Sequence, residues 1–548
     1  MTIITFEKEK LEKRIGKLDQ KTQEKITMFG TPIDSITDKE ISIEVFPNRP
    51  DLLSLEGFVR SFNAYLGKKT NIKYEVKDSA NKVILEKLPK EWPYAVACIV
   101  KNLKFNNDKI KEIIDIQEKL GLTFLRKRKK GGIGLYPLNK ITFPVTFRGM
   151  KPEEIKFKPL EFPKIITGRQ ILSQHPTGRE YAYICKDWET FPVFIDKKGV
   201  IMSMPPIINS HDVGKIDETT TEVFIEATGN NLQTLQQVMN IIACVLADMG
   251  GTIYSIDCQQ MDKKTITIPN LAPEKIDFSP EYINQNLGTN FSEKEIENYL
   301  AKMNIMIDST KKNIALIPPY RTDILHEIDL VEEIAIAHGY ENFEPEIPAI
   351  ATIGEENKME VVKRKISELL VGLNLLEVSS FHLSTKDKQF KSMGVKSFKD
   401  KIIEIENSKT EYNILRTSLI ANAVAILSEN SDAAYPQKLF EIGKVFSLNK
   451  KNETGIEEKE KLCIALCGEK SNFTEIKQIV DYILRMFQVS YSIEETTEDS
   501  FIEGRCGRIM INNKEVGILG EISPFVLKNN KIKMPVACLE MDVEPFLN

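Results

Sequence analysis

The 548-residue sequence has no GxxxxGK[ST] phosphate loop, no GxGxxG opening a helix after a strand and no GxSxG nucleophile elbow. P-loop, Rossmann and α/β-hydrolase chemistry are therefore excluded. Histidine is scarce: residues 175, 211, 326, 338 and 382 are the only five, and no HExxH pattern occurs among them. The eight cysteines include no CxxC pair, which argues against a zinc ribbon. Scattered thiols in a long chain fit a reducing compartment, so a cytoplasmic location is expected. No uncharged apolar run reaches the ~18 residues of a membrane span. The start, MTIITFEKEKLEKRIGK, turns charged after Phe6 and is not expected to act as a secretory signal. Basic charge is not in excess either. Lys plus Arg is 74 against 79 for Asp plus Glu, a formal charge of −5. A contact with nucleic acid should then be a local patch, or shared with a partner chain.

The chain is long enough for about three to four domains. Ile41, Ile43 and Val45 alternate as a strand. The loop Pro47–Asp51 follows, and then Leu55, Phe58, Val59, Phe62, Tyr65 and Leu66 fall at helical spacing. A first α/β domain is expected over residues 1–85, with the polar stretch Lys77–Lys82 at its boundary. Residues 90–268 read as mixed α+β. Helices are expected around Ile110–Leu120 and Leu232–Leu246, and strands at Tyr181–Ile184 and Pro192–Ile195. Within this stretch Arg126-Lys127-Arg128-Lys129-Lys130 is the most basic run. It reads as a solvated loop or as an RNA-backbone contact. Residues 270–345 are punctuated by Ser279-Pro280, Gly288 and the capping box Ser292-x-x-Glu295. Residues 355–548 mix helices and strands, with Lys450–Lys461 as a surface loop.

The segment Arg321-Thr-Asp323-Ile-Leu-His326-Glu-Ile-Asp329-Leu-Val-Glu332-Glu333 is acidic. On a helix, Ile324, Ile328, Val331 and Ala335 would form the core face, and Asp329, Glu332 and Glu333 another, with Asp323 near the helix start. Converging carboxylates need a cation, and oxygen-only ligands select Mg²⁺ or Ca²⁺. Spacing alone leaves open an ordinary acidic helix surface with Asp323 as a cap.

This segment, continued to Tyr340, resembles phenylalanyl-tRNA synthetase β subunits of the archaeal and eukaryotic type. So do Glu44–Ser54, Pro205–Ser210, Leu415–Leu419, Pro436–Lys444 and Leu519–Pro524, in the same order along the chain. The resemblance implies a multidomain α+β protein. Its parts would be an editing-type domain over 90–268, a small helical or winged metal-site domain over 270–345, and a degenerate class II synthetase core over 355–548, an antiparallel sheet with helices. It implies a cytoplasmic α₂β₂ heterotetramer in which a separate α subunit charges tRNA(Phe) with phenylalanine using ATP. It also implies Mg²⁺ at Asp323, Asp329, Glu332 and Glu333. For hydrolysis of mischarged Tyr-tRNA(Phe) it implies candidates among Asn209, Ser210, His211, Glu226 and Thr228. Two departures from the family pattern stand out. Ser418 and Gly517–Glu521 lack the acid and the arginine of a working class II site, so no aminoacylation residues are expected here. Asn231 stands where related chains often carry Asp, which weakens the editing expectation. The alternative is a stand-alone RNA-binding or tRNA-editing protein without a synthetase partner.

Overall fold

The computed structural model describes residues 2–68, 73–397 and 402–547. The chain divides into two compact units, Met1–Ile347 and Pro348–Asn548.

The first unit contains three sheets of three or more strands, besides a short pair, Lys156–Phe157 with Ile166–Thr167. Strands Thr2–Glu7, Glu40–Val45 and Ile33–Ile36 form an antiparallel sheet with Glu40–Val45 in the middle. Helix Leu55–Tyr65, capped by Ser54, belongs with this sheet and contributes Phe58 and Phe62 to an aromatic cluster with Phe6 and Phe29. The second sheet has ten strands. Its inner part runs in the order Val145–Met150, Val76–Glu86, Thr252–Gln259, Tyr94–Lys101, Val223–Gly229 and Gly131–Pro137. Helix Leu232–Asp248 packs on one face through Leu235, Val238, Met239, Ile242 and Val245, the spacing read from the sequence. The third sheet, Glu274–Asp277, Ile314–Ile317 and Met306–Ile307, is accompanied by helices Pro280–Leu287, Glu293–Lys302 and Glu327–His338. Gly288 ends the first of these helices in the left-handed conformation, and Ser292 with Glu295 makes the capping box.

Buried charge crosses between these parts of the unit. Arg60 of helix Leu55–Tyr65 donates to Asp248 at 2.5 Å and to the Tyr74 hydroxyl at 3.1 Å, and its guanidinium lies 3.7 Å from the centre of the Tyr320 ring.

The second unit is built on a seven-stranded sheet. The long pair Gln437–Leu448 and Ile456–Cys467 lies beside Val536–Asp542, Lys514–Ile522 and Phe501–Ile511, all antiparallel. Helix Phe473–Met486 packs on one face and Ile420–Glu429 on the other.

Four local expectations change. Lys77–Lys82 is not a boundary: it lies inside strand Val76–Glu86, where a bulge with Ala80 at φ +54° absorbs the polar residues. Tyr181–Ile184 is helical, within Pro176–Cys185. Pro176 starts the helix, and Tyr181 and Cys185 bury one side at i, i+4. Lys450–Lys461 is a turn running into strand Ile456–Cys467. The acidic helix begins only at Glu327, so Asp323 and Ile324 precede it. Its buried side is Leu330, Val331, Ile334 and Ala337, while Ile328 is exposed.

A candidate editing site and an internally neutralised acidic cluster

Strand Val223–Gly229 is paired on both sides, with Tyr94–Lys101 and the edge strand Gly131–Pro137, and its side chains alternate between faces. Val223, Ile225 and Ala227 meet the helices. Phe224, Glu226 and Thr228 face the other way, so a carboxylate and a hydroxyl are carried into an apolar layer. Glu226 is 2% exposed and Thr228 fully buried. On that face the residues opposite Glu226 are Gly134 and Ala97, and those opposite Thr228 are Gly132 and Ala95. These small residues let other groups approach: a Cβ at Gly132 would lie 3.1 Å from that of Pro206. The space at Gly134 is already used: a Cβ there would lie 2.5 Å from both Glu226 Oε1 and the Tyr136 hydroxyl.

Tyr136, which sequence reasoning did not select, is the connecting residue. Its hydroxyl is 3.1 Å from Glu226 Oε1 and 3.2 Å from Asn209 Oδ1. One phenol has one proton, so it cannot donate to both. Both bonds form if Glu226 is neutral and donates to the tyrosine oxygen while Tyr136 donates to Asn209. Burial pushes the Glu226 carboxyl up to about 8, against a smaller opposing effect of Tyr136, which agrees with that arrangement. Glu226 Oε2, Thr228 Oγ1 and Ser203 Oγ are buried without a hydrogen-bond partner. Buried orphans of this kind call for a ligand or an ordered water. The signal that could have found Tyr136 is the run Gly131-Gly132-x-Gly134-x-Tyr136, a strand stripped of side chains beside a tyrosine.

The remaining candidates divide. Asn209 joins the cluster through Tyr136. Ser210 is fully buried, but its hydroxyl accepts the Asp212 N–H within its own turn. His211 is exposed, with its backbone N–H donating to Lys158 O. Asn231 caps helix Leu232–Asp248 by accepting the Thr234 N–H at 2.9 Å, a role that Asn fills as well as Asp.

The four acidic residues expected to hold Mg²⁺ do not converge. Arg321, 1% exposed at its side chain, binds Asp323 through two bonds of 2.8 Å and Glu333 through two more at 2.7 and 2.9 Å. Asp329 accepts the N–H groups of Leu325 and His326 at the helix start. Glu332 is exposed. Among the described residues no group of three or more His, Cys, Asp or Glu side chains is gathered to hold a metal ion. A hard cation needs about six oxygens around it, and here a guanidinium already engages two of the four carboxylates. Burial raises Asp323, but Arg321 outweighs this and holds its carboxyl below the ordinary value, with help from Arg49. Arg49 forms its own two-bond pair with the buried Asp51, both at 2.9 Å. The loop Pro47–Asp51 and the acidic segment thus form one charge network.

In the second unit Arg416 is equally committed. It donates to Glu441 at 2.7 Å, to Lys444 O at 2.7 Å and to the Ser380 hydroxyl at 2.9 Å. Ser418 donates to the buried Glu540 at 2.7 Å. Gly517 is explained by packing, since a Cβ there would lie 2.4 Å from that of Met541.

Among the described residues no helix is long and apolar enough to cross a membrane. Residues 276–340 match the family model of the tRNA synthetase B5 domain, and residues 344–543 that of the phenylalanyl tRNA synthetase beta chain CLM domain. The chain is 36% identical to the phenylalanine–tRNA ligase beta subunit of Thermococcus sibiricus, over 91% of this chain and 89% of that one. It is 33% identical to the same subunit of Archaeoglobus fulgidus, over 100% and 99%. An N-terminal fragment of the phenylalanyl-tRNA synthetase beta subunit from Pyrococcus horikoshii superposes with a TM-score of 0.59 at 32% identity, covering 62% of this chain and 99% of the fragment. On these matches, which run along nearly all its length, the chain belongs to the phenylalanine–tRNA ligase beta-subunit family.

Proposed function

We propose that the chain serves as the β subunit of a phenylalanine–tRNA ligase. In this reading a separate α subunit charges tRNA(Phe) with phenylalanine, and the domain around Glu226 hydrolyses tRNA(Phe) mischarged with tyrosine. The single observation that carries the hydrolytic part is the buried cluster Glu226–Tyr136–Asn209 with the orphaned Glu226 Oε2 and Thr228 Oγ1. Tyrosine and phenylalanine differ by one hydroxyl. A site with a buried acceptor kept for that hydroxyl rejects the analogue that lacks it, because the acceptor is then left unpaired. Glu226 Oε2 is that acceptor. Thr228 and Ser210 are assigned to the ester and its attacking water.

The second unit, read as a class II synthetase core without its chemistry, supports the partner. Arg416 is held by Glu441 and Ser380 and is not free for a phosphate. The purified chain alone should therefore give no ATP–pyrophosphate exchange, and exchange at the rate of the αβ complex would overturn this assignment. The Mg²⁺ that accompanies ATP is assigned to the α subunit, because Arg321 already neutralises Asp323 and Glu333. The cytoplasmic placement rests on eight cysteines that are all free and buried.

The test uses the αβ complex and Tyr-tRNA(Phe). Wild type should deacylate it faster than Phe-tRNA(Phe). Glu226→Ala and Ser210→Ala should slow deacylation by roughly tenfold or more, the worth of one hydrogen bond in a dry site, with little change in aminoacylation. Equal rates in all three would remove the residue assignment, and no deacylation by wild type would remove the activity.

A further inference from the structure

We propose that the basic turn Arg126–Lys130 is a seat for the phosphates of single-stranded RNA, holding the 3′ end of the tRNA whose aminoacyl ester enters at Glu226. The proposal rests on the hydrolytic reading above and adds the surface that delivers the substrate.

The turn is a built structure. Helix Asn107–Leu122 ends, and the chain reverses through Arg126, Lys127 and Arg128 at φ +50°, +53° and +61°. Left-handed backbone costs about 1–2 kcal/mol per non-glycine residue, and three in succession persist only where the surroundings hold them. Here Lys127, Arg128 and Lys130 donate their N–H groups to Leu122 O, Gly121 O and Leu125 O. Arg128 turns inward, donating to Pro206 O at 3.0 Å and Ile207 O at 3.1 Å with its guanidinium 4.2 Å from the centre of the Tyr181 ring. The same geometry leaves Arg126, Lys127 and Lys129 exposed.

Among the described residues none of the five cations of this turn is in a salt bridge, in a chain whose formal charge is −5. An exposed aromatic stands beside them. Tyr183 is 47% exposed, donates its hydroxyl to Lys127 O at 3.0 Å, and has Lys129 Nζ 5.9 Å from its ring centre. Cations that track a backbone, beside an exposed ring on which a base can stack, are the two parts of a single-strand site.

Position links this surface to the candidate pocket. Lys130 runs directly into strand Gly131–Pro137, whose Gly132 and Gly134 pair with Thr228 and Glu226. Four strand residues span about 13 Å, the reach of the terminal nucleotides of an RNA whose tyrosyl side chain lies at Glu226. Arg128 also holds the carbonyls of Pro206 and Ile207, and Pro206 packs over Gly132, which ties the turn to the strand beside Thr228.

The experiment uses the αβ complex with Arg126→Gln, Lys127→Gln and Lys129→Gln combined; Arg128 and Lys130 are kept. The probes are Tyr-tRNA(Phe), a non-hydrolysable amide analogue of it, and 3′-O-tyrosyl-adenosine, an ester without phosphates. The variant should raise KM for Tyr-tRNA(Phe) about tenfold or more with kcat little changed. Its slope of log Kd against log salt for the amide analogue should be shallower by about two, at ~0.7 per cation on a single strand. Hydrolysis of tyrosyl-adenosine should be unaltered. Unchanged KM, Kd and salt slope would overturn the proposal. So would dissociation of the variant complex, which would make the turn an interface with the α subunit. If wild type hydrolyses neither ester, the hydrolytic reading fails by itself, and the affinity and salt slope of the amide analogue still decide whether the turn holds RNA.

Discussion

Replacing Arg321 by alanine should cost the N-terminal unit about 3–5 kcal/mol, the range found when one partner of a buried ion pair is removed. The side chain satisfies two carboxylates through four hydrogen bonds, and Asp323 and Glu333 are both nearly inaccessible. Without the guanidinium they would face each other uncompensated. Against a total stability of ~5–15 kcal/mol, the variant should be close to unfolding at ambient temperature. Urea unfolding measures this directly. Adding Asp323→Asn and Glu333→Gln to Arg321→Ala should recover part of the loss, because the stranded charge disappears. The same titration tests the cation. A ligand that binds only the native state shifts the midpoint as RT ln(1 + [L]/Kd). Millimolar Mg²⁺ should leave the wild-type midpoint where it is, and an upward shift abolished by Asp323→Asn would restore the metal site.

The second large effect is a pH dependence set by Glu226. Its carboxyl is raised from 4.5 to about 8, chiefly by burial. The folded chain therefore holds this proton more tightly than the unfolded one. Below pH ~4.5 both states are protonated and the group contributes no slope. Between ~4.5 and ~8 the unfolded state has lost the proton and the folded state keeps it, so stability falls as pH rises, by about 1.4 kcal/mol per unit. Above ~8 both are ionised and the slope vanishes again. Glu226→Gln keeps the shape and removes the titration. From pH 5 to pH 7.5 wild type should lose about 3 kcal/mol more than the variant, read from urea midpoints at the two pH values. Parallel curves would mean that Glu226 is ionised in the native state, and the donor arrangement through Tyr136 would have to be reversed.

The fold was legible wherever local chemistry decided it. Ser279-Pro280, Gly288 and Ser292-x-x-Glu295 mark helix ends by mechanisms contained in a few residues. The apolar face of Leu232–Asp248 repeats long enough to be unambiguous. Tyr181–Ile184 misled because four residues of alternating size satisfy a strand template, while the deciding features, Pro176 and the Tyr181–Cys185 spacing, lie outside them. The candidate sites depend on long-range pairing. Glu226 and Asn209 can be named from the sequence, but Tyr136 links them from 90 and 73 residues away. The acidic cluster was legible as charge, but the ion pairs that engage Asp323 and Glu333 were not. Its counterion, Arg321, stands two residues before Asp323, but its reach to Glu333 across twelve positions exists only in the folded chain. Sequence spacing ranks which acids share a helix face; it does not say which cation reaches them first.

Arg60 ties the small aromatic domain, the ten-stranded sheet's helix and Tyr320 together through one buried charge. The three parts of this unit have separate sheets, but the shared charge should couple their melting. Opening the Leu55–Tyr65 helix strands Asp248 without its cation and bares Tyr320, so loss of one part destabilises the other two by more than its own contacts. Heat should meet a single block here, and amides in all three sheets should share the same slowest exchange rate. Fragments cut inside Met1–Ile347 would inherit an exposed, unbalanced seam.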